Sequence, residues 1–174
     1  MKNIKGDLFE QLNSPDVDAV CITTNGFVKS NGSAVMGRGC AFTAKQRFPL
    51  LDVVLGRHLR EKGNVVSKLM RIGKVELLAF PVKPDYIRFS DDHDVVAHMH
   101  NKFRHGDKVP GWACVADIDI IRQSAYELEE MATANNWNKV IIPRPGCGAG
   151  ELDWNIVELV LQEILDDRFY AITF

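Results

Sequence analysis

A chain of 174 residues, 46% of them hydrophobic, has enough apolar material for one sizeable core and too little length for two. Its 21 basic and 23 acidic residues give a formal net charge of −2, which excludes a global field for gathering nucleic acid or anionic lipid and leaves only a local cationic pocket open. No apolar run reaches the roughly 18 residues of a bilayer span, and MKNIKGDLFEQLNS lacks a hydrophobic signal core, so no membrane partner and a cytoplasmic location are expected.

In chain order, the first expected strand is residues 4–5, closed by Gly6 and Asp7, and 8–12 is a turn or short helical piece. AVCITT, residues 19–24, is dense in β-branched and apolar side chains and predicts a strand buried on both faces. Two Asn-Gly pairs in NGFVKSNG, 25–32, then supply turn chemistry. Met36, Cys40, Ala44 and Phe48 recur at helical spacing, which predicts a helix over 33–48 that Pro49 ends. Gly37 and Gly39 in its first turns each cost about 1 kcal/mol of helix propensity, so a close ligand or strand is expected to offset them.

A second helix is expected over 50–61, stopped near Gly63, and a strand over 74–81 containing VELLAF. From Asp85 to Trp112 the sequence turns polar and irregular, with spacing for one short helix at 94–103. Ile118, Ile121, Ala125, Leu128 and Ala132 form the apolar stripe of a helix over 118–133. A short buried strand at 139–142 leads into PRPGCGAGELDW, 143–154. Asp153 is the expected N-cap of a helix reaching about Leu165, with Leu152 and Val157 as a hydrophobic staple, and 169–174 is a terminal strand. Helices alternating with short apolar strands predict an α/β layer protein with a parallel or mixed sheet.

In such sheets ligands bind beyond the carboxyl ends of strands, where the loops 25–38, 83–90 and 143–151 fall. VMGRG and GCGAG suit backbone wrapped around phosphate oxygens, because glycine lets consecutive amides point inward. Neither fits GxxxxGK[ST] or GxGxxG, so composition leaves two readings open: phosphate cradles, or loops that only turn the chain. Cys21, Cys40, Cys114 and Cys147 form no CxxC pair, and reduced thiols are expected. His93, His98, His100 and His105 lie among Asp91, Asp92 and Asp94, but their spacings match no compact zinc motif; a solvated or pH-sensitive lid is the expectation, with no metal.

Taken together, KGDLFE, ITTN, AVMGRGCA, the Phe48–Pro49 pair, FPVK at 80–83 and IPRPGCGAGELDW occur in an order that resembles a macrodomain, the ADP-ribose-binding module. The resemblance is to the branch of DNA-ADP-ribose glycohydrolases and the human terminal ADP-ribose glycohydrolase, and covers the chain 1–174 as one macrodomain apart from an extended segment at 91–117. It implies a three-layer α/β/α sandwich with a central mixed sheet and an ADP-ribose cleft. By the same resemblance Asp7 accepts from the adenine amino group with the Leu8 amide nearby. Ala34, Val35, Met36, Gly37, Arg38 and Gly39 contact the phosphates and distal ribose, and Pro145, Gly146, Cys147, Gly148, Ala149, Gly150 and Glu151 enclose the diphosphate.

Asn25, beside the distal ribose, and Lys83, whose amine attacks C1 of that ribose in similar glycohydrolases, are the catalytic candidates. A lysine does such chemistry when desolvation or a cationic neighbour lowers its pKa from about 10.4. Other roles are open for the same residues: Asp7 as a turn cap, Asn25 as a turn former, Lys83 as a phosphate anchor. Arg144 reads as a surface or salt-bridged residue, Cys147 as a small buried filler and Trp154 as core, while Tyr86 or Phe89 is placed to stack on adenine.

The pattern is incomplete: Gly150 stands where the human enzyme has an aspartate, leaving Glu151 as the neighbouring carboxylate, and Ile22 takes the first of the family's paired asparagine positions. The resemblance therefore implies hydrolysis at the distal C1 position, as a glycohydrolase or an ADP-ribose-1''-phosphate phosphatase, or else non-catalytic reading of ADP-ribosylated protein or DNA, with no cofactor and no general nucleic-acid affinity.

Overall fold

A computed structural model describes all 174 residues. Its strands and helices run β1 (Lys2–Lys5), β2 (Ala19–Asn25), α1 (Gly39–Arg47), α2 (Leu51–Lys62), β3 (Ser67–Ile72), β4 (Val75–Lys83), β5 (Tyr86–Arg88), β6 (Lys108–Pro110), α3 (Ile118–Ala134), β7 (Val140–Pro143), α4 (Trp154–Ile164) and β8 (Phe169–Thr173). Six strands form one sheet in the order β1-β8-β7-β2-β4-β3. All neighbours are parallel except β3, which returns antiparallel on β4. The carboxyl ends of β1, β8, β7, β2 and β4 therefore share one edge.

Alternation along these strands fills two cores, as a period of two requires. Cys21, Leu78, Phe80, Ile142 and Phe169 pack on one face with Ile121, Ala125 and Leu128 of α3 and Val157 and Leu161 of α4. Val20, Ile22, Leu77, Ala79 and Ile141 pack on the other with Ala41 and Ala44 of α1 and Leu51 and Leu55 of α2. The expected three-layer α/β/α sandwich with a mixed sheet is the fold observed, and no helix is long and apolar enough to cross a membrane.

Three local expectations are corrected. The helix expected over 33–48 begins at Gly39, because the backbone before it is held extended: Val28 bridges Ala34, the Ala34 amide donates to the Asp52 carbonyl, and the Asn25 side chain donates to the Val35 carbonyl. Those tertiary partners displace the i to i−4 ladder, and Met36 reaches the core from a loop instead. The helix expected over 94–103 is absent for the same kind of reason. Val95 bridges Cys114 and the Val96 amide donates to the Ala113 carbonyl, leaving only a 3₁₀ turn at Ala97–Lys102. Strand β3 was not anticipated, because at the sheet edge SKLMRI alternates polar and apolar residues only weakly.

The irregular segment also has order of its own. β5 and β6 pair antiparallel, and Phe89, Val95, Val109, Ala113 and Cys114 form a small third core beneath them. Asp153 caps α4 as expected, its carboxylate accepting from the Asn155 amide. Replacing it with alanine should lower stability by about 1 kcal/mol in urea titration; an unchanged midpoint would show that the cap contributes nothing.

Candidate functional site

At the shared edge, one cavity of about 490 Å³ opens between the loop before α1 and the loop after β7. Its first wall follows from Asn25. A register shift after Thr24 sets Asn25 opposite Lys83, and the Asn25 amide then donates to the Val35 carbonyl while its oxygen accepts from the Phe27 amide. Both polar ends are spent on backbone, so Asn25 acts here as the organiser of the loop 26–38. Val35, Met36, Gly37, Arg38 and Gly39 line the cavity in sequence, and Ala34 sits buried behind them.

The opposite wall is built by tight turns. Cys147 N–H donates to the Arg144 carbonyl, with Pro145 next and Gly146 at φ 75°, the arrangement of a type II turn. A second turn joins Glu151 N–H to the Gly148 carbonyl, and Leu152 N–H returns to Gly146. The Ala116 amide donates to the Gly150 carbonyl, which fastens the loop to the end of the 91–117 segment. Gly146, Gly148, Ala149 and Gly150 line the cavity; Pro145 and Cys147 do not. Cys147 is half-buried, and burial pushes its thiol up to about 11.

Lys83 lies between the two walls. It is only 7% exposed, and its Nζ donates to the Ala149 carbonyl at 2.9 Å, which ties the end of β4 to the glycine loop. Burial pulls its pKa below the ordinary lysine range against the opposing influence of Cys114 and Glu151, and the Arg38 charge adds a smaller pull in the same direction as burial. Glu151 has φ 63°, and its carboxylate accepts from the Ala97 amide at 2.9 Å. It borders a smaller groove adjoining the main cavity, with Arg38, Gly39, His98, Gly148 and Ala149.

Asp7 and Leu8 follow β1 on the same sheet edge but are not part of the cavity wall. The Asp7 carboxylate accepts from the Phe9 and Glu10 amides at 2.6 and 3.3 Å, the geometry of a turn cap. Phe89 is 3% exposed and edges against His105, and the ammonium of Lys108 sits over the Tyr86 ring. Neither aromatic lines the cavity, so the expectation that one of them stacks on a base there is corrected.

His98, Met99 and Trp112 do line the cavity, which sequence reasoning missed. The signal was limited to an aromatic and a histidine-rich run in a segment without periodicity, and only the third core brings that segment over the cleft. Of the histidines, His93 pairs with Asp91 and His105 with Asp92, and no three potential metal ligands converge.

The wall has a pronounced charge bias. It carries Arg38, Lys83 and Arg144, together with His98, and no aspartate or glutamate. None of the three cations makes a salt bridge. In a chain of net charge −2 this concentrates positive potential in one concave site, and glycine-flanked amides surround it.

No family model matches the sequence, and no curated protein does. Solved structures match over nearly the whole chain. The macrodomain of Mycobacterium tuberculosis DarG gives a TM-score of 0.64 at 20% identity, covering 99% of this chain and 97% of that one. Thermosipho africanus DarTG in complex with ADP-ribose gives 0.65 at 19% identity, covering 99% of this chain but 41% of the other. A macrodomain protein from Streptomyces coelicolor gives 0.56 at 14% identity, covering 99% and 98%.

Proposed function

From the macrodomain fold that this chain has, we propose that it binds ADP-ribose in the cavity at the carboxyl edge of the sheet and hydrolyses a substituent at C1 of the distal ribose. The observation that carries this reading is the cleft wall itself, which joins two arginines outside any salt bridge, a buried lysine and two glycine loops without a single carboxylate. Such a wall suits a diphosphate. The solved Thermosipho africanus DarTG structure in complex with ADP-ribose supports ADP-ribose as that diphosphate.

In this proposal Lys83 is the nucleophile. Its neutral Nζ forms a bond to C1 while the bond from C1 to the acceptor breaks, and the acceptor leaves with that electron pair and the proton shed by the amine. Water then adds to C1, the C1–Nζ bond breaks, and the amine is regenerated beside a free ribose. Burial, the largest influence on Lys83, favours the neutral amine this sequence needs. Asn25 contributes by holding the loop that orients the ribose.

The second reading, a non-catalytic reader of ADP-ribosylated targets, is favoured by one specific feature: no carboxylate lines the cleft to move protons. Calorimetry with ADP-ribose, AMP and NAD tests binding. A clear preference for ADP-ribose is expected, and no preference would defeat both readings. Incubation with ADP-ribosylated DNA, ADP-ribosylated protein and ADP-ribose-1''-phosphate separates enzyme from reader; release of the substituent is expected, and binding without product from any of the three would favour the reader.

A further inference from the structure

Arg144 does not behave as the surface or salt-bridged residue its sequence context suggested. It is half-buried and lines the cleft, and its guanidinium carbon lies 4.8 Å from the centre of the Trp154 ring. Its Nε is buried with no hydrogen-bond acceptor, and no carboxylate pairs with it. A buried donor on a charged group is costly unless a ligand or a water supplies the acceptor. Thr24 of β2 lines the same cavity, and it is 5% exposed with its hydroxyl also unpartnered.

The backbone explains why the guanidinium stays in place. Pro143 and Pro145 flank Arg144, and a residue before proline is confined to extended backbone. Its carbonyl opens the type II turn, and its guanidinium lies over the Trp154 indole in a cation–π contact. Topology then sets its position along the cleft. β7 stands third in the order β1-β8-β7-β2-β4, so Arg144 leaves the sheet two strands from Asp7 and two strands from Lys83. At about 4.8 Å per strand, each flank spans about 10 Å.

We infer that Arg144 is a ligand-binding residue that holds the central diphosphate of the nucleotide through its guanidinium. This rests on the ADP-ribose reading for the identity of the ligand, but not for the chemistry of the subsite. Its planar fork of donors matches two phosphate oxygens in a way a lysine ammonium does not.

Calorimetry of wild type, Arg144→Ala, Arg144→Gln and Arg144→Lys with ADP-ribose, inorganic pyrophosphate and adenosine tests it. Arg144→Ala and Arg144→Gln should weaken both ADP-ribose and pyrophosphate about tenfold or more and leave adenosine unchanged, with lysine recovering only part of the loss. Arg144→Gln keeps a polar side chain without the charge, and near-ultraviolet circular dichroism reports whether each variant retains the packing around Trp154. Pyrophosphate binding within twofold of wild type in the glutamine variant would overturn the inference, as would no pyrophosphate binding by wild type. Arginine-dependent pyrophosphate binding without ADP-ribose binding would uphold the subsite while defeating the ADP-ribose reading.

Discussion

Lys83→Met is expected to abolish release of the distal substituent while leaving ADP-ribose affinity within a few-fold of wild type. Removing a covalent nucleophile should lower the rate by about 10³-fold or more, whereas loss of one phosphate or carbonyl contact would appear mainly in binding. The rate in wild type should rise with pH through the folded pKa of Lys83, since only the neutral amine attacks, and that pKa lies below the ordinary lysine value. Single-turnover assays across pH check both points. Full turnover in the methionine variant would eliminate lysine chemistry.

The same shift predicts a stability signature. The folded state binds the Lys83 proton less tightly than the unfolded chain, so the group opposes folding at low pH, and this opposition fades as pH climbs from the folded pKa to about 10.4. Methionine removes that opposition but also the bond to the Ala149 carbonyl. The stability difference between the two proteins should therefore move in favour of wild type as pH rises. A difference constant with pH in urea titrations would show that the buried lysine carries no desolvation penalty.

Gly150→Asp, which would supply the carboxylate found at this position in the resembling human enzyme, is expected to damage the site. A Cβ at residue 150 would stand 2.5 Å from the Gly146 carbonyl oxygen and 2.6 Å from the Ala116 Cβ. Both neighbours are fixed, one inside the double turn and the other at the end of the 91–117 segment, so the loop must move. Destabilisation of about 3 kcal/mol and loss of ADP-ribose binding are expected, with faster amide exchange over 146–152 and 113–117. A variant with the wild-type melting midpoint and affinity would show that the loop has slack where the structure shows contact. The absence of the carboxylate thus has a physical cause: the Ala116 side chain occupies the space its Cβ requires.

The apolar runs 19–24 and 139–142 were legible because strands buried on both faces are continuously apolar, and the stripe on 118–133 because its helical period matches the face it buries. The two glycine loops were legible as turns at strand ends, and their meeting across one cavity followed from parallel strand order. Loop chemistry at residues 33–38 was not. Helical spacing there competes with three hydrogen bonds to residues 25, 29 and 52, which no local pattern encodes.

The sequence by itself determined the layers, the cap at Asp153 and the turns around Gly146, because those depend on side-chain period and local backbone preference. Only the tertiary structure decided that Arg144 faces the cleft over Trp154, that Lys83 is buried beneath Ala149, and that His98, Met99 and Trp112 complete the wall. Burial and charge neighbours arise from packing between distant segments, so the pKa of Lys83 and the unpaired donor of Arg144 are properties of the assembled edge of the sheet.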